Sequence, residues 1–97
     1  MAKFGELINI DKPVLIDFYA GLNDLEPRLE ILRDVAAALG DKAKVIKIDT
    51  HQNQTLTNAL RIKSNPTFII YKNNEIQWRQ TGEQDANTLI GLVQKYF

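Results

Sequence analysis

The run Val14-Leu15-Ile16-Asp17-Phe18-Tyr19-Ala20 decides the fold. Apart from Asp17 every residue in it is apolar or aromatic, so neither face of an extended chain here could be left in water. Such a run predicts a central strand covered on both sides. Pro13 precedes it and Gly21 stops it. Upstream, Phe4, Leu7 and Ile8 are at helical spacing in a short segment that ends near Asn9 and Asp11. Downstream, Asn23 or Asp24 offers an N-cap, and Pro27 falls in the first turn, where its missing N–H costs little. The helix then runs to Gly40, a natural C-terminal stop, with Leu25, Leu29, Leu32, Val35, Ala36 and Leu39 as its inward stripe.

Farther along, Lys44–Asp49 predicts a second strand. The polar stretch Thr50–Asn53 leads into a short helix carrying Leu56, Ala59 and Leu60. Thr67–Tyr71 predicts a third strand. Asn73-Asn74 suits a tight hairpin because asparagine tolerates positive φ. Glu75–Gln80 alternates, which predicts an edge strand with Ile76 and Trp78 facing the core. Gly82 and a cap at Asp85 introduce a last helix with the stripe Leu89, Leu92, Val93 and Tyr96. Strands separated by helices are expected to pair in parallel through right-handed crossovers, and the final hairpin adds an antiparallel edge. The expectation is a single α/β domain over residues 1–97, a four-stranded mixed sheet with helices on both faces.

The 97 residues suffice for one core without disulfides or metal. Twelve basic against twelve acidic residues give zero net charge, with no basic stripe for nucleic acid. No apolar run approaches the roughly 20 residues of a membrane span. The stretch Met1-Ala2-Lys3-Phe4-Gly5-Glu6 carries charge where a secretory leader needs an apolar core, so a cytoplasmic location is the expectation. His51, the one histidine, has no carboxylate cluster at ligand spacing, and with Ser64 it forms no recognisable triad. The glycines are scattered, and no phosphate loop is predicted. No metal or cofactor is expected. Lys42, Lys44, Arg28 and Arg33 read as ordinary solvated charges. The chain has no cysteine, and the thiolate is the nucleophile of every thiol–disulfide exchange.

That last fact matters because the chain resembles the thioredoxin family over nearly its whole length. Lys12–Ala20 is similar to the strand that feeds the family's redox loop, and Lys47-Ile48-Asp49 to the strand after it. Ser64-Asn65-Pro66-Thr67-Phe68 resembles the cis-proline loop, and Lys72-Asn73-Asn74-Glu75 the family hairpin. Gly82 falls where the family keeps a glycine beside its active site. The family's Trp-Cys-Gly-Pro-Cys segment is missing: only Gly21–Glu26 separate Ala20 from Pro27, about four residues fewer than the family has. Four residues is close to one helical turn, so the apolar stripe keeps its phase against the sheet. The chain also resembles family members that begin after the usual first strand.

The resemblance implies a thioredoxin-like sandwich without thiol–disulfide oxidoreductase activity of its own. It would be a degenerate relative or an engineered loop-deleted derivative of a protein-disulfide reductase that serves redox homeostasis. Gly21, Leu22, Asn23 and Asp24 form the shortened corner. Asp17 matches the aspartate behind the family's cysteines. It is either a buried relic with a raised pKa or a solvated, water-bridged carboxylate in the gap. Asn65, Pro66, Thr67 and Gly82 match the family's peptide groove, so an extended peptide or protein is a possible partner by strand addition. Equally, the proline could be kept because the sheet packs around it. A monomer is the expectation, with a domain-swapped dimer as the alternative that a strained hinge invites.

Overall fold

A computed structural model describes residues 3–97; Met1 and Ala2, part of the stretch read for a leader, lie outside the described residues. The elements in chain order are α1 (Phe4–Ile8), β1 (Val14–Tyr19), α2 (Leu22–Leu25), α3 (Leu29–Leu39), β2 (Lys44–Asp49), α4 (Gln54–Ala59), β3 (Thr67–Lys72), β4 (Glu75–Thr81) and α5 (Ala86–Gln94). A 3₁₀ turn, Glu26–Arg28, joins α2 to α3. The sheet order is β2-β1-β3-β4.

The deciding run is the second of these four strands, and its residues 14–18 are wholly buried. Alternation divides the core. Leu15 faces the layer of α3 and α5 with Phe68, Ile70, Leu32, Val35, Leu89 and Val93. Val14, Ile16 and Phe18 face the opposite layer with Ile69, Tyr71, Ile8 and Ile62. There Phe4 of α1 meets Tyr71 edge-on, with ring centroids 5.4 Å apart. Asp17 shares the parity of Leu15, so its carboxylate projects toward the α3 side.

Strand direction corrects one expectation. β1 and β2 are parallel, but β3 runs antiparallel to β1, and β4 antiparallel to β3. A parallel crossover must carry the chain back along a whole strand, roughly 20 Å for six residues. The eleven residues of α3 cover about 16 Å of that return. The six of α4 cover about 9 Å, so β3 starts near the end where β2 finished and runs the other way.

Four smaller differences follow from local geometry. The helix after β1 starts at Leu22, behind Gly21 (φ 78°, ψ 167°), rather than behind a cap at Asn23 or Asp24. A turn of helix therefore survives ahead of Pro27, which sits in the 3₁₀ segment where the lack of an N–H interrupts the α ladder. Leu29 and Ala36 are exposed, because the break at Glu26–Arg28 rotates the buried stripe onto Leu25, Leu32, Val35 and Leu39. In β4 the register slips between Ile70 and Tyr71, so Trp78 lies opposite Ile70 and Ile76 opposite Tyr71. Partners across a ladder share a face, so Trp78 packs on the α3–α5 core while Ile76 is carried to the other face and left half exposed. Both asparagines of the hairpin have positive φ, and Asp85 caps α5 by accepting from the Thr88 N–H at 2.8 Å.

Candidate functional site

The C-terminal end of β1, the start of β3 and the end of β4 meet at one corner, closed by α2. Gly21 makes this possible. Its backbone lies in a region that a side chain all but forbids, and it redirects the chain from strand to helix in a single residue. The corner is then tied: the Ala20 N–H donates to Asp24 Oδ2 at 2.9 Å, and the Leu25 N–H to the Gly21 carbonyl at 3.2 Å.

One turn farther on, Arg28 points back under α2 into the sheet. Its Nε donates to Asp17 Oδ2 at 2.8 Å and its Nη2 to Asp17 Oδ1 at 3.0 Å. Nη1 donates to the Asp24 carbonyl at 2.8 Å and to Asp24 Oδ1 at 3.0 Å. Nη2 also reaches Asp24 Oδ2 at 3.2 Å, and Glu83 lies 3.6 Å from Nη1. Arg28 is 1% exposed. Its reading as a solvated charge is therefore corrected: arginine is buried only when paired, and here two aspartates pair it. The i,i+4 spacing of Asp24 and Arg28 was visible in the sequence. The Asp17 contact, eleven positions away, was not, and neither was Glu83.

Asp17 is fully buried with both oxygens bound by the guanidinium, which rules out the solvated alternative. Burial pushes its carboxyl up from the ordinary range, and the hydrogen bonds and charge of Arg28 pull against that without cancelling it. The Arg28 hydrogen bond holds Asp24 low, helped by the Ala20 N–H and by Asn65. Burial works against the charge on Arg28, but the two aspartates outweigh it, and the guanidinium holds its proton more tightly than a free one. The corner contains a permanently charged cation and the carboxylates that accept from it, in a chain that has no thiol.

Beside it, the Asn65–Pro66 peptide bond is cis. The Pro66 carbonyl accepts from the Gly82 N–H at 2.9 Å, joining the loop before β3 to the end of β4. Asn65 is exposed, whereas Thr67 is buried, its hydroxyl donating to the Ser64 carbonyl at 2.7 Å and lying 3.1 Å from the Thr81 hydroxyl. His51 is exposed, and its N–H donates to Asp49 Oδ1 at 2.8 Å. Among the described residues, no three histidines, cysteines or carboxylates converge as a metal site.

A sheet in the order β2-β1-β3-β4, helices on both faces and a cis-proline loop at the end of the central strand define a thioredoxin-like α/β fold. The thioredoxin family model matches residues 1–95, and the chain belongs to that family. It is 40% identical over 95 residues to the chloroplastic thioredoxin Y of Oryza sativa subsp. japonica, covering 96% of this chain and 56% of that one. It is 30% identical over 91 residues to a thioredoxin of Rickettsia prowazekii (strain Madrid E), covering 93% and 87%. The chain spans about half the length of the chloroplastic relatives it matches. Among solved structures, a chloroplastic thioredoxin z superposes with a TM-score of 0.78 at 28% identity, covering 89% of this chain and 79% of that one.

Proposed function

We propose that this domain is a thioredoxin without thiol–disulfide exchange of its own, a degenerate or loop-deleted derivative whose redox corner has become a structural ion-pair cluster. The observation that carries this reading is Arg28. With no cysteine in the chain, the buried charged groups at the end of β1 are Asp17 and Arg28, and with Asp24 they are hydrogen-bonded to one another. Exchange needs a thiolate to attack a disulfide sulfur, and nothing in this cluster can do so. The test is reduction of insulin by dithiothreitol in the presence of the purified chain. The expected rate is that of dithiothreitol alone, and acceleration of the kind a cysteine-bearing thioredoxin gives would overturn the reading.

A second reading, a peptide-binding module at Asn65, Pro66 and Gly82, is favoured by the exposure of Asn65 beside the Pro66–Gly82 link. Extended peptides that shift the amide resonances of residues 64–67 and 82 would support it.

A further inference from the structure

The loop before β3 leaves part of its backbone unused. Neither the Asn65 N–H nor the Asn65 carbonyl has a hydrogen-bond partner among the described residues, although the next carbonyl, that of Pro66, is bonded to Gly82. Asn65 is exposed, so both groups are open to the backbone of another chain. Beside them, a methyl group on Gly82 would meet nothing within 4 Å. An extended chain can therefore lie along Asn65 without displacing a side chain at Gly82.

The charge around this stretch is one-sided. Arg28 Nη1 lies 3.0 Å from Asp24 Oδ1 and 3.6 Å from Glu83 Oε1, so one nitrogen brings these two carboxylates together. Asp24 flanks Asn65, whose side chain helps hold it ionised, and Glu83 follows Gly82. With Asp17 they bring three carboxyl groups to one guanidinium. Even with the buried Asp17 neutral, one negative charge is left over. It resides at the open end, since the Glu83 side chain is 66% exposed and that of Asp24 17%.

The basic residues nearest in sequence are turned elsewhere. Lys63 lines a recess with Thr50 and Thr57 next to α4. Arg79 donates to the Leu60 and Arg61 carbonyls at the end of α4. That helix packs on the sheet face opposite the one that carries Asp17 and Arg28.

We propose that the groove between Asn65 and Gly82 selects an extended segment of a partner protein that carries a lysine or arginine, with the cation set against Glu83 and the outer edge of Asp24. The proposal rests on the peptide-binding reading and adds to it the sign of the charge that is read. Successive side chains of a strand point to opposite sides. Glu83 and Asp24 both lie on the α3 side, where Arg28 joins them, so one cation at one position suffices and its sequence neighbours point toward α4. A carboxylate at that position would face two like charges, and this repulsion is what discriminates.

The test uses the full chain labelled with ¹⁵N and seven-residue peptides of alternating threonine and valine that differ only in the central residue, lysine, glutamine or glutamate. Amide shifts at residues 64–67 and 82–83 are expected with the lysine peptide. The glutamate peptide should bind about three- to tenfold more weakly, as one or two exposed charge contacts allow, and added salt should narrow that gap. Glu83→Gln, at an exposed position outside the buried pair, should weaken the lysine peptide by about two- to fivefold. No shift at residues 64–67 and 82 with any peptide would remove the peptide-binding reading itself, and the proposal with it. Shifts there with equal affinities for the three peptides would leave that reading standing and overturn the proposal alone. So would a lysine preference untouched by Glu83→Gln, or concentration-dependent shifts at these residues without peptide, the sign of a second copy in the groove.

Discussion

Arg28 grips Asp17 through two hydrogen bonds, Nε to one carboxylate oxygen at 2.8 Å and Nη2 to the other at 3.0 Å, with both side chains closed off from solvent. A guanidinium presents its donors in a fork that fits a carboxylate, which a lysine ammonium cannot do. The pair joins the central strand to the 3₁₀ turn between α2 and α3. Asp24 completes it by taking the remaining donors, and no buried side-chain polar atom among the described residues is left without a partner.

Removing one partner of such a pair costs more than removing both. Arg28→Ala leaves Asp17 buried and unmatched, for which a loss of about 3–5 kcal/mol is expected. The double variant Asp17→Leu/Arg28→Met replaces both charges with apolar groups and should lose far less than the sum of the two single changes. Urea unfolding of the two single variants and the double variant measures this directly. Additive losses would show that the pair contributes nothing beyond its separate parts.

The same corner governs the acid limb of stability. Asp24 is held below its ordinary 3.8 by Arg28, so folding favours its ionised form. That contribution is present above the unfolded value and is lost as pH falls through the lowered folded value. Asp17 has the opposite sign: burial raises it, so its share is fully present below the unfolded value and declines as pH rises through the folded one. Because the two signs oppose, the Asp24 share is read from the difference in urea midpoint between the wild type and Asp24→Asn across pH 2 to 6: the variant should lie lower at pH 6, and the gap should close toward pH 2. Parallel curves would remove Asp24 from the account.

How much of this was legible depended on the range of each interaction. The unbroken apolar run from Val14 identified the central strand, because burial on both faces is written in consecutive residues. The paired asparagines at 73 and 74 and the cap at Asp85 were legible for the same reason, being local backbone chemistry. The direction of β3 was not, since it turns on whether α4 is long enough to span the sheet. The exposure of Ile76 was not, since alternation in β4 is interrupted by a register shift set by its partner strand. The candidate corner was half legible: Asp17 stood out as a carboxylate in an apolar strand, but Arg28 looked like any helix cation until the fold brought the two together.

Gly21 and Gly91 should respond in opposite directions to alanine. At Gly21 the nearest foreign atom to a new methyl is the His51 ring at 3.8 Å, an ordinary contact, so the penalty comes from the backbone at φ 78°, ψ 167°. A loss of about 1–3 kcal/mol is expected there. Gly91 lies inside α5, its φ is not positive, and a methyl would meet nothing within 4 Å. Alanine at that position should stabilise by about 0.5–1 kcal/mol by restricting the unfolded chain. Thermal unfolding of the two variants separates the effects, and equal shifts would contradict the assigned geometry of Gly21.

The register shift in β4 makes a final pair of substitutions informative. Were the strand to alternate without interruption, Ile76 and Trp78 would share the core face, and truncating either would be costly. With the shift, Ile76 stands opposite Tyr71, half exposed on the far face, while Trp78 packs over the core beside Ile70. Ile76→Thr should therefore stay within about 0.5 kcal/mol of the wild type, as exposed positions do. Trp78→Ala should cost about 2 kcal/mol, less than the 3–5 of a wholly buried aromatic because the indole is only half covered. Chemical denaturation compares them, and the threonine is a suitable probe because it keeps a β-branched side chain in the strand. If Ile76→Thr proved as costly as Trp78→Ala, the two side chains would share the core face, and the bulge between Ile70 and Tyr71 would have to be abandoned.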